Sequence, residues 1–242
     1  MPFLSAESLS LVDIAMLTII VIGLPLEALR TLKRDREILA SGKPDVRIKH
    51  YTQTLLLLWG LGLPIIVLWA TSGRDWAALG FQIDASPLAI AGWALAGLVA
   101  IFFLYQYAMV ARSPSVRKQF RDQLSGNPIM SNFMPRTDAE RGLFNVLGIS
   151  AGIAEEIIFR GYLIWALNLF MPLWIAAAAA LLVFTLLHLY QGAKQLPPIF
   201  VIGALATLVF VLSGSLWPAI ALHIFVDVIN NQTVWKARMT PA

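Results

Sequence analysis

The sequence contains no cysteine and little charge. The absence of cysteine excludes disulfide bonds, thiolate catalysis and zinc sites built on cysteine. Charged residues make up 13% of the 242 residues, about half of the share found in soluble domains. The HExxH pattern of many zinc proteases, internal repeats and strand patterns are also missing. Hydrophobic residues instead account for 58% of the chain, and their long runs indicate a polytopic membrane protein.

Seven apolar segments define the predicted architecture, and most approach the roughly 20 residues that a bilayer requires. We expect an all-α integral membrane bundle of about seven transmembrane helices, with six to eight compatible with the pattern. The first segment lacks a preceding basic residue and a cleavage site, so it is predicted to be a retained helix rather than a signal peptide. The segments are approximately Leu9–Leu29, Thr54–Ala70, Pro87–Val110, Gly142–Phe170, Pro172–Leu196, Pro198–Leu212 and Leu216–Val234.

The placement of basic residues predicts the orientation. Sixteen of the 18 Lys and Arg residues lie in the first, third and fifth loops and the C-terminal tail, whereas the second loop holds only Arg74. The positive-inside rule therefore predicts an N-terminus outside and a cytoplasmic C-terminus. The third loop, from Arg112 to Arg141, mixes basic residues with Phe and Met, which fits either a membrane-surface segment or a solvated loop. A bacterial inner membrane suits the size and short loops, and a eukaryotic endomembrane stays open.

Ionisable residues within apolar segments are candidates for function, because a charge in the bilayer is costly unless it is paired or hydrated. Asp13 and Glu27 lie near the ends of the first helix, where we expect structural roles and contact with interfacial water. His50 lies in the basic first loop and is expected to be solvated. The functional candidates are Glu155, Glu156, Arg160, His188, His223 and Asp227.

Helical spacing sorts these candidates. Glu156 and Arg160 are four residues apart and share a helix face, so we expect an ion pair in which Arg160 gives two donors to one carboxylate. Glu155 points about 100° away from Glu156 and is predicted to stay unpaired. The same spacing of four places His223 beside Asp227.

Phe184 and His188 are also four residues apart, which predicts an aromatic ring next to the imidazole. A rise of about 1.5 Å per residue places Glu155, His188 and His223 about 12 to 13 Å above the inner turn near Pro197. Convergence of three polar groups from three helices at one depth predicts an active site. The alternative is a structural polar network that joins helices.

Three motifs carry a family resemblance. The sequence "EEIIFR", Glu155–Arg160, resembles the EExxxR signature of the CAAX prenyl protease and bacteriocin-processing (Abi) family. "FTLLH", Phe184–His188, is similar to the second family motif, FxxxH. "HIFVD", His223–Asp227, resembles the third motif, in which Asn or Asp follows His after four residues. The resemblance covers approximately residues 135–232 and implies an intramembrane endopeptidase.

The resemblance also implies roles for the motif residues. Glu155 would activate the water that attacks the scissile carbonyl, while Glu156 and Arg160 would hold the shape of the site. The two histidines and Asp227 would position the water, bind a metal or stabilise the oxyanion. Asn is common at the position of Asp227, and an ionised Asp cannot donate a hydrogen bond to an oxyanion.

Two histidines with carboxylates also suit a divalent metal with an open coordination position. We therefore expect at most one divalent metal, with zinc as the expected ion, and no organic cofactor. Its predicted ligands are Glu155, His188, His223 and Asp227.

The predicted partner is a membrane-embedded or membrane-associated protein or peptide, such as a prenylated peptide or a leader peptide, together with the bilayer itself. Nucleic acid is not expected. The predicted organisation has N-terminal transmembrane helices in residues 1–134, a CAAX-protease-like catalytic core in 135–234 and a short cytoplasmic tail in 235–242.

Three alternatives compete with a peptidase that uses Glu155. "GISAG", residues 148–152, matches G-x-S-x-G, so Ser150 is a candidate nucleophile. That motif requires a strand-to-helix turn, whereas small residues within a helix permit close packing. A non-catalytic immunity or scaffold protein of the same family is a second alternative. A transporter is a third, but its polar groups should line a path across the bilayer rather than gather at one depth.

Overall fold

The computed structural model describes residues 9–41 and 43–240 of the chain. Residues 1–8 of the predicted N-terminal part and 241–242 of the predicted tail lie outside this description. Within it the chain is helical without a strand, as predicted. Twelve α-helices occur in these residues, namely α1 (Leu11–Thr18), α2 (Leu24–Ala40), α3 (Pro44–Thr71), α4 (Trp76–Leu79), α5 (Pro87–Arg112), α6 (Pro114–Ser125), α7 (Pro128–Phe133), α8 (Asp138–Glu155), α9 (Ile164–Asn168), α10 (Leu173–Leu187), α11 (Leu196–Ser213) and α12 (Leu216–Met239).

Two π-helices join consecutive α-helices into longer rods. Ile19–Gly23 connects α1 to α2, and Glu156–Leu163 connects α8 to α9. Proline at the first or second position starts several helices, such as α3 and α5, since its missing N–H has no intrahelical partner there. All seven predicted apolar segments fall on helices. The predicted bundle architecture is therefore confirmed.

Five rods are long and apolar enough to span a bilayer, among the described residues. The helix α10 is apolar but has only 15 residues, and α12 is long but carries several polar side chains. Both complete the bundle beside the five spans. The five are Leu11–Ala40, Asp45–Thr71, Pro87–Arg112, Asp138–Asn168 and Ala193–Ser213.

The predicted fifth segment, Pro172–Leu196, is wrong at its end. The helix α10 stops at Leu187, and two 3₁₀ turns, Leu189–Gln191 and Ala193–Gln195, follow. Gly192 between them has a φ of 102°, a conformation that glycine adopts without steric cost. The predicted height of His188 assumed a helix continuing to Pro197, so that height is also wrong.

The helices α8 and α12 form the centre of the bundle. The helix α12 packs against both α5 and α8, α3 packs against α8, and α11 packs against α5 and α10. The rod from α8 to α9 is more than half buried, whereas α3 and α5 expose many of their apolar side chains on the outside. The helix that bears the first motif is therefore enclosed by lipid-compatible helices.

Asp13 does not reach interfacial water, contrary to the prediction. Its side chain is fully buried and accepts two hydrogen bonds from Arg74, at 2.8 and 2.6 Å. The hydroxyl of Tyr162 lies 3.2 Å from Asp13 Oδ1. Trp69 and Trp165 flank the guanidinium of Arg74, whose Cζ lies 5.3 and 4.7 Å from their ring centroids. The one basic residue of the second loop thus neutralises Asp13, and its role is structural as expected.

The third loop is mostly helical, because α6 and α7 occupy it. Arg238 near the end of α12 donates hydrogen bonds to the carbonyl oxygens of Met134 and Pro135, at 3.1 and 2.8 Å. The hydroxyl of Tyr51 on α3 donates to the carbonyl oxygen of Phe133. The segment around Phe133 is thereby tied to both α3 and α12.

Candidate active site

The first motif spans a change of helix type. Glu155 is the last residue of α8, and Glu156 begins the π-helix that runs to Leu163. The predicted continuous α-helix is therefore wrong at this point. A π-helix is wider than an α-helix and occurs frequently at functional sites. Every residue of this π-helix is buried, so its side chains pack among the neighbouring helices rather than against lipid.

Glu156 links two cationic or potentially cationic groups. Its Oε1 accepts a hydrogen bond from Arg160 Nη1 at 2.8 Å and lies 2.7 Å from His223 Nδ1. Since a carboxylate only accepts hydrogen bonds, Nδ1 of His223 is the donor. The Nε2 atom of His223 is left facing the other acidic residues. Glu156 thus orients the third-motif histidine, a role that spacing along one helix does not predict.

Arg160 does not give two donors to Glu156, contrary to the prediction. Its Nη2 donates to the carbonyl oxygen of Gly203 at 3.0 Å, and its Nε donates to Thr207 Oγ1 at 3.3 Å. Both partners belong to α11, which lies beside the π-helix. The guanidinium is therefore shared between one carboxylate and a neighbouring helix, and it joins the first motif to α11.

Glu155 and Asp227 approach the free nitrogen of His223. Glu155 Oε2 lies 3.8 Å from His223 Nε2, and Asp227 Oδ2 lies 3.9 Å from the same atom. Both distances exceed hydrogen-bond length, so neither carboxylate is hydrogen-bonded to this nitrogen. The side chain of Glu155 keeps 14% of its surface exposed, whereas Glu156 is fully buried. The adjacent carboxylates therefore have different environments: one is clamped and one is accessible.

His188 lies at the end of α10, where the helix turns. Its Nδ1 donates to the carbonyl oxygen of Phe184 at 2.8 Å, so its Nε2 is the nitrogen left for other partners. The ring of Phe184 lies 4.6 Å from the His188 ring and 6.5 Å from the His223 ring. Arg160 also packs its guanidinium 4.4 Å from the same aromatic centroid. The predicted contact of Phe184 with His188 is present, and the same ring contacts the guanidinium of Arg160.

Four of the candidate motif residues line one cavity of about 320 Å³. Its wall includes side chains from α3, α5, α8, α10, α11 and α12 and from the turn after His188. Glu156 and Arg160 lie behind this wall and hold it in shape. The candidates that face the cavity are Glu155, His188, His223 and Asp227.

A second, mainly apolar groove of about 640 Å³ adjoins this cavity. It lies between α5 and α11, and Leu98, Phe102 and Val201 on its wall are exposed on the outside of the bundle. The groove therefore opens on the outside of the bundle and lies next to the cavity. Three residues line both spaces: Phe103, Pro198 and Ile202.

The side chains around the cavity are of the kinds that bind divalent metals, but they are not arranged as metal ligands. Both histidines hold their Nδ1–H on an oxygen and leave Nε2 available, as metal-binding histidines commonly do. However, no three His, Asp or Glu side chains of the described chain are grouped as metal ligands are. The side chains as placed do not form a metal site, and hydrolysis at this site is therefore considered without a metal ion.

Sequence reasoning missed three side chains beside the motifs. His50 is not a solvated loop residue as predicted, since it lies on α3 with its ring 5.4 Å from Phe133 and 5.5 Å from Tyr190. Tyr190 and Gln191 line the cavity. Burial, with a smaller effect of the Glu155 and Asp227 charges, raises the pKa of Tyr190 to about 12. For Tyr190 and Gln191, the only signal in the sequence was their position directly after the second motif.

Ser150 has no site of a nucleophile. It lies in the middle of α8 rather than at a strand-to-helix turn, and it is not among the residues that line the cavity. The neighbouring glycines allow α12 to approach, because a Cβ on Gly152 would lie 2.8 Å from the backbone nitrogen of Ile224. The G-x-S-x-G pattern here therefore serves helix packing.

A comparison with protein families places the three motifs together. Residues 140–229 match the family described as Rce1-like, type II CAAX prenyl endopeptidase. The match contains every motif residue from Glu155 to Asp227 and confirms the family resemblance predicted from them. No curated protein and no solved structure matches the chain. Together with the five long apolar rods, this family identifies an integral membrane protein.

Proposed function

From the match of residues 140–229 to the Rce1-like, type II CAAX prenyl endopeptidase family, we propose that the chain is an intramembrane endopeptidase. It hydrolyses a peptide bond of a membrane-associated substrate with a water activated by Glu155. One observation carries the proposal: an accessible carboxylate and two oriented imidazoles from three helices face a single cavity. A serine mechanism and a path across the bilayer have no comparable support.

The proposed reaction begins with a water beside Glu155. The carboxylate takes one proton from the water as the oxygen attacks the carbonyl carbon of the scissile bond. The Nε2 lone pair of neutral His188 accepts the other water proton as a hydrogen bond and fixes the position of the water. Glu155 then returns its proton to the leaving amine as the C–N bond breaks, which yields a carboxylic acid and restores the base. The new acid finally gives its proton to the free amine, so that the products leave as a carboxylate and an ammonium group.

Glu156 and Arg160 contribute by holding His223. The Nδ1–H of His223 is fixed on Glu156, which fixes the direction of Nε2 towards Glu155 and Asp227. Asp227 has no proton to donate when ionised, so it serves as an acceptor for the incoming amide. A divalent metal would require Glu155, His188, His223 and Asp227 to group more closely than they do in the described chain.

The apolar groove supports a substrate that arrives from the membrane. An apolar segment or lipid group in the groove between α5 and α11 would lie next to the cavity, since the two spaces share wall residues. Prenylated C-terminal peptides and leader peptides both have this character. We propose a bacterial inner membrane as the location, with cleavage near the cytoplasmic face.

Cleavage of defined peptides by the purified protein in liposomes tests the proposal. Mass spectrometry of a farnesylated C-terminal peptide and a leader peptide should show a single new cut with wild type and none with Glu155→Ala. Glu27→Ala is the matched control, because Glu27 is an exposed carboxylate that does not line the cavity, and it should cut like wild type. Equal cutting by wild type and Glu155→Ala would contradict the proposal. Loss of cutting with a chelator, restored by zinc, would assign a metal.

A further inference from the structure

Few side chains on the cavity wall can donate a hydrogen bond to the oxygen that becomes negative during peptide hydrolysis. Both imidazoles direct their Nδ1–H away from the cavity, one to Phe184 and the other to Glu156. Asp227 stands where an amide would supply a donor, and an ionised carboxylate has none. Hydrolysis through a tetrahedral intermediate gains much of its rate from such donors. A donor should therefore be present elsewhere on the cavity wall.

Most other polar side chains on that wall are engaged or exposed. The hydroxyl of Thr54 donates to the carbonyl oxygen of His50 at 2.9 Å, and the amide of Asn231 donates to Asn145 at 2.7 Å. Asn230 is exposed at the edge of the cavity. These groups do not meet the reacting carbonyl in the interior.

Tyr190 differs from them in both position and bonding. Its ring is stacked on the ring of His188, with centroids 6.3 Å apart and an angle of 27° between planes. Its phenolic oxygen accepts a hydrogen bond from Gln191 Nε2 at 3.1 Å. Because that bond uses a lone pair of the oxygen, the O–H proton is still available. Within the described chain, no acceptor for this proton is found.

The surroundings of Tyr190 fix the phenol rather than let it swing. His50 and Phe133 contact its ring at 5.5 and 6.2 Å, and His188 covers one face. The phenol lines the same cavity as Glu155 and Asp227, so it lies on the wall of the space where the water is activated. A held phenol beside a general base is the arrangement that an oxyanion donor requires.

We propose that Tyr190 is a further catalytic residue, whose O–H donates a hydrogen bond to the carbonyl oxygen of the scissile peptide bond as that oxygen becomes negative. Gln191 is its positioning residue, since its amide holds the phenolic oxygen and keeps the proton directed into the cavity. No proton leaves Tyr190 in this step. The inference rests on the proposed peptidase function and explains how a chain with Asp at position 227 stabilises the intermediate.

Tyr190→Phe tests the inference, because it removes one oxygen and keeps the ring contacts. We expect kcat to fall about 100-fold to 1000-fold, the range for loss of one oxyanion donor, with KM changed by less than about threefold. Tyr105→Phe is the matched control, since Tyr105 is exposed on α5 outside the cavity wall, and it should cleave like wild type. An unchanged kcat for Tyr190→Phe, or a raised KM with kcat preserved, would overturn the inference.

A second variant keeps the test decisive if Tyr190→Phe folds poorly. Gln191→Glu places a carboxylate next to the phenol, and this carboxylate would accept the hydrogen bond from the phenolic O–H. Because the O–H would then no longer point to the substrate, kcat should fall while the thermal midpoint stays near that of wild type. Full activity of Gln191→Glu would count against the inference. If wild type and Tyr190→Phe are both active and Glu155→Ala is inactive, the inference about Tyr190 is wrong and the peptidase function stands. If wild type itself is inactive, both the peptidase function and the inference are wrong.

Discussion

At the scale of single residues, two adjacent glutamates perform different tasks because their surroundings differ. Glu156 is fully buried and bonded to Arg160 and His223, whereas Glu155 faces the cavity without a hydrogen bond. Separation of this kind assigns one carboxylate to structure and leaves the other available as a base. The same logic explains why a charged sequence such as "EEIIFR" is tolerated inside an apolar rod.

Glu156→Gln should destabilise the protein by about 3 to 5 kcal/mol, because it leaves the Arg160 cation buried without its counter-charge. Thermal unfolding in detergent measures the effect. The double variant Glu156→Gln, Arg160→Met should recover part of this stability but little activity, since His223 still lacks its carboxylate partner. A single variant as stable as wild type would show that the ion pair does not hold this part of the bundle.

Residue spacing predicted some of these contacts and not others. The Glu156–Arg160 pair and the Phe184–His188 contact follow from a separation of four on one helix. The bond from His223 to Glu156 joins residues 67 positions apart, so it depends on how two helices pack. His50 was misjudged because basic residues around it suggested a loop, although Pro44 starts a helix there.

At the scale of elements, close packing of α8 on α12 sets the distance between the first and third motifs. Gly148 and Gly152 face α12, where a Cβ would lie 3.0 Å from Asp227 Cβ and 2.5 Å from Ile224 Cγ1, respectively. Glu155 follows one turn after Gly152, and His223 directly precedes Ile224. The absence of side chains at these glycines therefore brings Glu155, the proposed general base, close to His223.

Gly152→Ala should destabilise the protein by about 1 to 3 kcal/mol, as overpacking of a close contact does. It should also lower cleavage activity, because α8 must move away from α12. Gly142→Ala on the same helix is the matched control. A Cβ added at Gly142 would meet nothing within 4 Å, so the higher helix propensity of Ala should leave stability equal or up to about 1 kcal/mol higher. Equal melting of Gly152→Ala and wild type would contradict this packing role.

The helices themselves could be predicted from long apolar runs, while their irregularities could not. The π-helix from Glu156 to Leu163 has no signal in residue spacing, because it depends on neighbouring helices that accept its wider turn. The early end of α10 at Leu187 had one signal in the sequence, the glycine at position 192. In the structure this glycine has a positive φ. Apolar periodicity alone extended that helix to Leu196.

At the scale of the whole molecule, the bundle surrounds a polar cavity with apolar helices and leaves a groove between α5 and α11 towards the lipid. This arrangement could be predicted only in part, since three motifs on three helices indicated convergence. The groove could not be predicted, because its two walls come from helices that are far apart in the chain.

The orientation predicted from the basic residues can be measured directly, because the chain has no native cysteine. Asp84→Cys in the second loop and Ser115→Cys on α6 each introduce one thiol at an exposed position. A membrane-impermeant maleimide added to intact cells should label the first variant and not the second until the membrane is opened. The reverse pattern would contradict an N-terminus outside.

The groove predicts a difference between substrates. Val201→Trp on its exposed wall should slow cleavage of a lipid-modified peptide several-fold and leave a short unmodified peptide unaffected, since only the former needs the groove. Leu208→Trp is the control, because it is exposed on the same helix outside the groove. Equal slowing of both peptides, or of neither, would show that the groove does not receive the apolar part of the substrate.

The most direct measurement of the central claim is the single-turnover rate of peptide cleavage by wild type and by Glu155→Gln in the same liposomes. Glutamine has nearly the size of glutamate but cannot take a proton from water, so the variant should bind substrate normally and cleave it about 100-fold to 10,000-fold more slowly. A Glu155→Gln rate equal to that of wild type would show that this carboxylate is not the base.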